Sequence, residues 1–366
     1  MPANIMLRLM RTLRLFIVPT LGLIVAACAA HPALIPQPTS HVSVERFTQS
    51  ISTQRIGSGF GTFQEYAVPN CPRSGNCSPN GMALGINKRV WFGNQFGGAI
   101  DSIDSIGSIR IHTVDKSEGF VNFDVAEASD HTMWFTAWAP DGSHGTIGHL
   151  ADGSVTLYPQ AFMPTFIIRG IENMWFSGTN HISKISSTGA VTTFTLDPNS
   201  NPGELVRGPD GNVWFTDEYI GSQIQSRVGK ITPTGKVTEF VVPDKTPGGI
   251  IGITVGPDAN LWFTDGSTTN GITQIGMCTL SGVITMYDTP TTHATAWGIT
   301  SGPSNDLYFT ETGANQIGRV TLNPVRITEY VVPPPSVNPL DIALGADNNI
   351  WFTIPGVNLI GEFETH

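Results

Sequence analysis

Three carboxylates, Asp217, Asp265 and Glu311, each follow an aromatic pair at a repeated spacing, and they are the side chains of this sequence best suited to chemistry. Carboxylates that converge repel one another unless a proton or a cation sits among them, so together they would make a Mg²⁺, Ca²⁺ or cationic-ligand site. Kept apart, they would be an acidic rim in water. Two tryptophans, Trp138 and Trp297, lie outside the frame that places the other six, and with Tyr219 they are candidates to touch a ligand. An apolar or cationic ring over indole, near carboxylates, is a sound recognition scheme. His293 stands shortly before Trp297 and is the histidine best placed to lean over the same face; beside Glu311 it would form an acid/base pair. No phosphate-cradling glycine loop, HExxH helix or nucleophile-elbow serine occurs, which removes several common enzyme classes.

The cysteines divide by context. Cys71 and Cys77 share a Pro/Gly/Ser-rich loop and can close a small disulfide, whereas Cys278 sits in a strand pattern as a buried thiol. Cys28 follows a leader in which Arg8, Arg11 and Arg14 precede an apolar run from Leu15 to Ala27, the pattern of a secretory signal over residues 1–27. Val25-Ala26-Ala27-Cys28 resembles a lipobox, which implies acylation of the Cys28 thiol, palmitate among the chains, and anchoring to a lipid bilayer. Ala29 after that cysteine implies sorting to the periplasmic side of an outer membrane in a Gram-negative cell, and tethering outside the cytoplasm otherwise. Residues 28–60 are rich in Pro, Ser and Thr and read as a flexible tether, with Val42 to Phe47 able to pair locally. The whole chain carries a net charge of −10, and loss of the leader removes only cations. Such a surface excludes nucleic acid as a partner and leaves a small ligand, a peptide or an envelope protein.

Positioning these residues requires a scaffold, and the sequence supplies one by repetition. Trp91-Phe92, Trp134-Phe135, Trp175-Phe176, Trp214-Phe215, Trp262-Phe263, Tyr308-Phe309 and Trp351-Phe352 return at intervals of about 40 to 50 residues, the period of a β-propeller. The fullest copy reads Gly208-Pro209-Asp210-Gly211-Asn212-Val213-Trp214-Phe215-Thr216, followed by Val228-Gly229-Lys230-Ile231 and Val237-Thr238-Glu239-Phe240. It supplies strands b, c and d, with Asp210 as a turn residue. The last copy stops at strand c, Leu359 to Phe363, while Phe63-Gln64-Glu65-Tyr66-Ala67-Val68-Pro69 matches the strand-d pattern of Ile327 to Pro333. The expectation is an all-β, seven-bladed propeller of four-stranded blades over residues 61–366, its last blade closed by the N-terminal strand.

The phrases from Gly208 to Thr216, Gln316-Ile317-Gly318-Arg319-Val320 and Ile327-Thr328-Glu329-Tyr330 resemble the virginiamycin B lyase (streptogramin lyase) family over about residues 61–366. The resemblance implies opening of a cyclic depsipeptide by elimination across its ester, with a histidine as base and Mg²⁺ held partly by a glutamate. Carried onto this chain, the histidine positions are Trp297 and Leu340 and the glutamate position is Pro355. None of the three takes a proton or holds an ion. The expectation is therefore a lipid-anchored propeller that binds at its channel mouth without lyase chemistry. The alternatives are a divergent C–O lyase, using His293 and the acids, and a scaffold in an envelope complex.

Overall fold

The computed structural model describes residues 39–43, 46–49, 53–56, 61–69, 71, 77–114, 121–221, 224–243, 249–266, 271–334 and 336–366. The leader and Cys28 lie outside the described residues. Seven antiparallel sheets follow one another in chain order, the first six each with four consecutive strands a to d, as in blade 4: Pro202–Arg207, Val213–Ile220, Ile224–Ile231 and Val237–Val241. The last blade takes its fourth strand from the other end of the chain. Phe63–Ala67 pairs antiparallel with Leu359–Phe363, Phe63 opposite Phe363 and Ala67 opposite Leu359. The strand order predicted from the repeat is the one observed.

Three segments within the stretch read as a tether also pair. Thr53–Ile56 lies on the closing strand of blade 7, Arg46–Gln49 on strand d of blade 1, and Thr39–Ser43 on strand d of blade 2. Val42 and Phe47 thus join different blades instead of each other. These fifth strands cover the outer edges of three blades, and edges left bare are the usual route to unwanted pairing.

The recurring residues have separable jobs. The Trp and Phe of each strand b point to opposite faces, so each sheet packs one ring against either neighbour; Phe92, Phe135, Phe176, Phe215, Phe263, Phe309 and Phe352 are all fully buried. The turn aspartate does more than turn the chain, because Asp210 accepts the indole N–H of Trp214 at 3.0 Å and Asp258 that of Trp262 at 3.0 Å. Asp347 serves Trp351 in the same way, so in blades 4, 5 and 7 the turn aspartate satisfies a buried indole, whereas the Trp91 and Trp134 indoles have no acceptor. The threonine after Phe stitches blades: Thr216, Thr264 and Thr310 donate to the carbonyls of Ile251, Trp297 and Leu340 in the next blade at 2.7, 2.6 and 2.6 Å.

The glycine of the strand-c phrase is steric. A Cβ on Gly318 would stand 2.0 Å from the Phe309 ring, and Gly148, Gly229, Gly276 and Gly361 face their own strand-b phenylalanines in the same way. Gly318→Ala should lower the melting temperature by roughly 5–10 °C, because overpacking a full core costs about 1–3 kcal/mol. Gly356→Ala, where a Cβ meets nothing within 4 Å, should leave it unchanged. Equal melting of the two variants would refute the steric account.

Candidate functional site at the axial mouth

In blades 1 to 6 strand a shifts register shortly before the residue that faces the strand-b phenylalanine. In blade 4 Pro202 pairs with Asp217 and Leu205 with Phe215, leaving Gly203 and Glu204 out of register; Ile251–Gly252 and Trp297–Gly298 repeat this in blades 5 and 6. These two positions of each blade surround the central axis. The first is Asn80, Phe123, Trp297 or Leu340 in blades 1, 2, 6 and 7. The second is acidic in three blades, Asp124, Glu204 and Asp341, and glycine in blades 1, 5 and 6.

Each axial acid reaches the next blade's backbone. Asp124 accepts the N–H of Ile167 at 2.8 Å, Glu204 that of Ile253 at 3.1 Å, and Asp341 that of Met82 at 2.5 Å. They also feel one another across the axis. Burial first, then the charge of Asp341, holds Asp124 well above the usual carboxylate range; burial and the charges of Asp341 and Asp124 do the same to Glu204. Burial lifts Asp341 to about 6 against the pull of its two backbone donors. Glu204 and Asp341 keep partial exposure, so the ring is reached from solvent.

The mouth aromatics divide. Phe123 carries the Trp138 ring at 4.7 Å and the Phe166 ring at 5.2 Å, a wall over blades 2 and 3. Trp297 is 5% exposed and precedes Gly298, whose added Cβ would meet an Asp341 oxygen at 3.0 Å. Tyr219 belongs elsewhere, on the long b–c hairpin of blade 4, with the Arg227 guanidinium 3.7 Å over its ring.

The acids singled out by their spacing do not converge. Asp217, Asp265 and Glu311 are 0, 2 and 0% exposed, so they are no solvated rim either. The reason is the direction of their side chains, which turn into the sheet and the loop entering their own blade. Asp217 accepts the N–H of Asn201 at 2.6 Å. Asp265 lies opposite Gln274, which donates to Asp288. Glu311 packs against Glu329 and Thr289, and burial followed by the Glu329 charge raises it to about 8. No group of three His, Cys, Asp or Glu side chains able to hold a metal occurs among the described residues. His293 is exposed, at a φ of 58°, and its backbone N–H donates to Gly271. Among the described residues no hydrogen bond or ion pair joins the His293 side chain to Glu311; Glu311 packs instead against Glu329 and Thr289.

Leu340 is 3% exposed and Pro355 opens a short 3₁₀ turn. The magnesium of the resembled family therefore finds no ligand at Pro355, and the residues present do not fit it there. Cys71 and Cys77 form the expected disulfide, with Cα atoms 5.0 Å apart, and Cys278 is a buried free thiol whose burial pushes it up to about 12. The axial acids escaped the sequence reading, although Phe123-Asp124-Val125, Gly203-Glu204-Leu205 and Leu340-Asp341-Ile342 align in the repeat frame.

Comparison with known proteins bears on this site. A streptogramin B lyase structure is 29% identical, covers 83% of this chain and 97% of its own, and superposes with a TM-score of 0.72. Virginiamycin B lyase from Staphylococcus aureus is 29% identical over 82% of this chain and 98% of its own, with a TM-score of 0.71. A catalytically inactive histidine-to-alanine variant of the S. aureus lyase with quinupristin gives 29% identity, 82% and 98% coverage and a TM-score of 0.70. Curated proteins give no match. The model of the virginiamycin B lyase family matches residues 137–366, from the end of strand b in blade 2 through the closing blade, and this chain belongs to that family.

Proposed function

We propose that the chain is a divergent C–O lyase that opens the ester of a streptogramin B-like cyclic peptide at its axial mouth, with Asp341 as proton acceptor. The observation that carries this reading is family membership combined with a carboxylate, lifted to about 6, immediately after the position where the family keeps its histidine. A base works best when its pKa lies near the working pH, and burial has moved Asp341 toward it. The proton on the carbon α to a carbonyl passes to Asp341, its electron pair forms a double bond to the neighbouring carbon that bears the ester oxygen, and that carbon's bond to oxygen breaks with the carboxylate leaving. No water is consumed. No step is assigned to magnesium, because Pro355 cannot hold it.

Incubation with quinupristin, followed by chromatography and mass spectrometry, tests the proposal. The expected product elutes apart from the substrate at unchanged mass, its rate rises as pH passes about 6, and Asp341→Asn lowers the rate by about 10²-fold or more. A product heavier by one water would mean hydrolysis and overturn the proposal. A second reading, binding without chemistry, is favoured by the apolar, buried Trp297 and Leu340 at the family's base positions. Saturable binding of quinupristin with no turnover would decide for it.

The leader and Cys28 support export and anchoring to a bilayer from outside the cytoplasm, and the Cys71–Cys77 disulfide supports an oxidising compartment. Labelling with a palmitate analogue, lost in Cys28→Ala, tests the anchor.

A further inference from the structure

We propose that a cavity between blades 1 and 2 binds a small monocarboxylate with an apolar body, the carboxylate taking the indole N–H of Trp91 and the guanidinium of Arg110. The cavity is built from a–b and c–d turns, so it lies at the ends of the sheets away from the axial mouth. It needs neither ester nor turnover, and the inference goes beyond the elimination.

The cavity measures about 280 Å³, near the lower end of the sizes that hold small molecules. Trp91, which lines it, is 2% exposed and its Nε1 has no acceptor. The indole sits over its turn as the others do. A Cβ on Gly85 would lie 2.7 Å from Cδ1 of Trp91, and one on Gly208 or Gly256 2.4 Å from Cδ1 of Trp214 or Trp262. In those two blades the N–H reaches the carboxylate two residues beyond the glycine, Asp210 or Asp258, at 3.0 Å. In blade 1 that address is Asn87, exposed, at a φ of 59°, and lining the cavity with Ile86. The Trp91 N–H is therefore directed at a turn that carries no carboxylate and forms a cavity wall. A buried donor without an acceptor is costly, and a carboxylate brought by a ligand removes that cost.

The charges of the two walls select a single anion. Trp91, Ser102 and Arg110 stand opposite one another across three strands and so share the blade 1 face that packs on blade 2. Arg89, on the same wall, is taken up by Ser102, Asp104 and Ser108. Arg110 makes no hydrogen bond or ion pair among the described residues, and its charge is felt by Arg89. A guanidinium beside an indole N–H favours a carboxylate over a neutral carbonyl. Across the cavity stand Asp130, held below its ordinary range by hydrogen bonds from Thr132, and Asp152. These two oppose a second negative charge. Ile86 and Leu150 offer the ligand's body apolar contact, and His112 stacks on Trp91 at 4.6 Å.

Titration of the full, isotope-labelled chain with hexanoate, followed through the nuclear magnetic resonance signals of its indole N–H groups, is the test, with hexanol and succinate as comparison probes. Hexanoate is expected to shift one indole signal downfield with a midpoint in the millimolar range, and that signal is missing from the spectrum of Trp91→Phe. Hexanol, which lacks the charge, and succinate, which carries two, should bind at least about tenfold more weakly. Arg110→Gln, an exposed substitution whose folding is checked by its melting curve, should weaken hexanoate by about tenfold and leave hexanol unchanged. No indole shift up to about 50 mM hexanoate, a shifting signal that persists in Trp91→Phe, unchanged hexanoate affinity in folded Arg110→Gln, or succinate bound as tightly as hexanoate would overturn the proposal. None of these measurements involves the axial mouth, so they stand or fall apart from the lyase assay.

Discussion

Phe63→Ala should destabilise the protein by about 3–5 kcal/mol and lower its melting temperature on the order of 10 °C, although the residue lies far outside the body of the repeat in sequence. Phe63 is 4% exposed and its ring meets Phe352 edge-on at 6.2 Å and Phe363 at 5.0 Å. It opens the strand that closes the ring, and the rest of that strand is tied to the C-terminus by polar contacts. Thr62 and Gln64 donate to Glu364 at 2.8 and 2.9 Å, and Tyr66 donates to Glu362 at 2.6 Å while stacking on Trp351. A cavity here loosens the joint at which the propeller is closed by pairing of the N- and C-terminal strands, next to blades 6 and 7. Val191→Ala, a smaller truncation on the outer strand of blade 3 at a residue 36% exposed, should cost under about 0.5 kcal/mol. Thermal melts of the two variants side by side check this, and a Phe63→Ala loss no larger than that of Val191→Ala would show that closure does not limit stability.

Stability should peak in mildly acidic solution, with Glu311 among the causes. Burial raises Glu311 to about 8, Asp101 to about 7 and Asp217 to about 6, all above their ordinary range near 4. For a carboxyl whose folded pKa is raised, the folded state holds the proton that the unfolded state has already released. Its contribution is complete below about pH 4 and is lost as pH rises through the folded value, here between about 6 and 8. Asp130 and Asp210, lowered by hydrogen bonds from Thr132 and by Trp214 and Asn212, act in the opposite sense at low pH and set the acid limb. The melting temperature is therefore expected to be highest near pH 5 and to fall toward pH 9.

Glu311→Gln separates that residue from the others. Glu329 is held in place by the backbone N–H of Thr291 at 2.9 Å and its hydroxyl at 2.6 Å, so its carboxylate cannot turn away when Glu311 ionises. Glutamine never takes the charge. The variant should match the parent at pH 5 and exceed it at pH 9 by on the order of 2 kcal/mol, read from melting temperatures across the range. Parallel curves for the two proteins would mean that Glu311 and Glu329 do not share a proton.

The repeat was legible because its demands are local. A Trp-Phe pair needs strand alternation to reach two sheets, Asp210 must be near Trp214 to accept a hydrogen bond from its indole N–H, and Phe63 to Val68 repeats a strand-d pattern, so blade count and closure follow from spacing alone. The lost base and metal ligand at Trp297, Leu340 and Pro355 were legible for the same reason, since a repeat frame assigns each residue an address. Direction within that address was not. Asp217, Asp265 and Glu311 share a frame position, yet all three are buried, Asp217 on the N–H of Asn201 and Glu311 against Glu329 and Thr289. Asp124, Glu204 and Asp341, far apart in sequence, come close enough at the axis to act on one another's ionisation. Spacing ranks residues along a strand, but only closure of seven sheets around one line decides which charges must face each other.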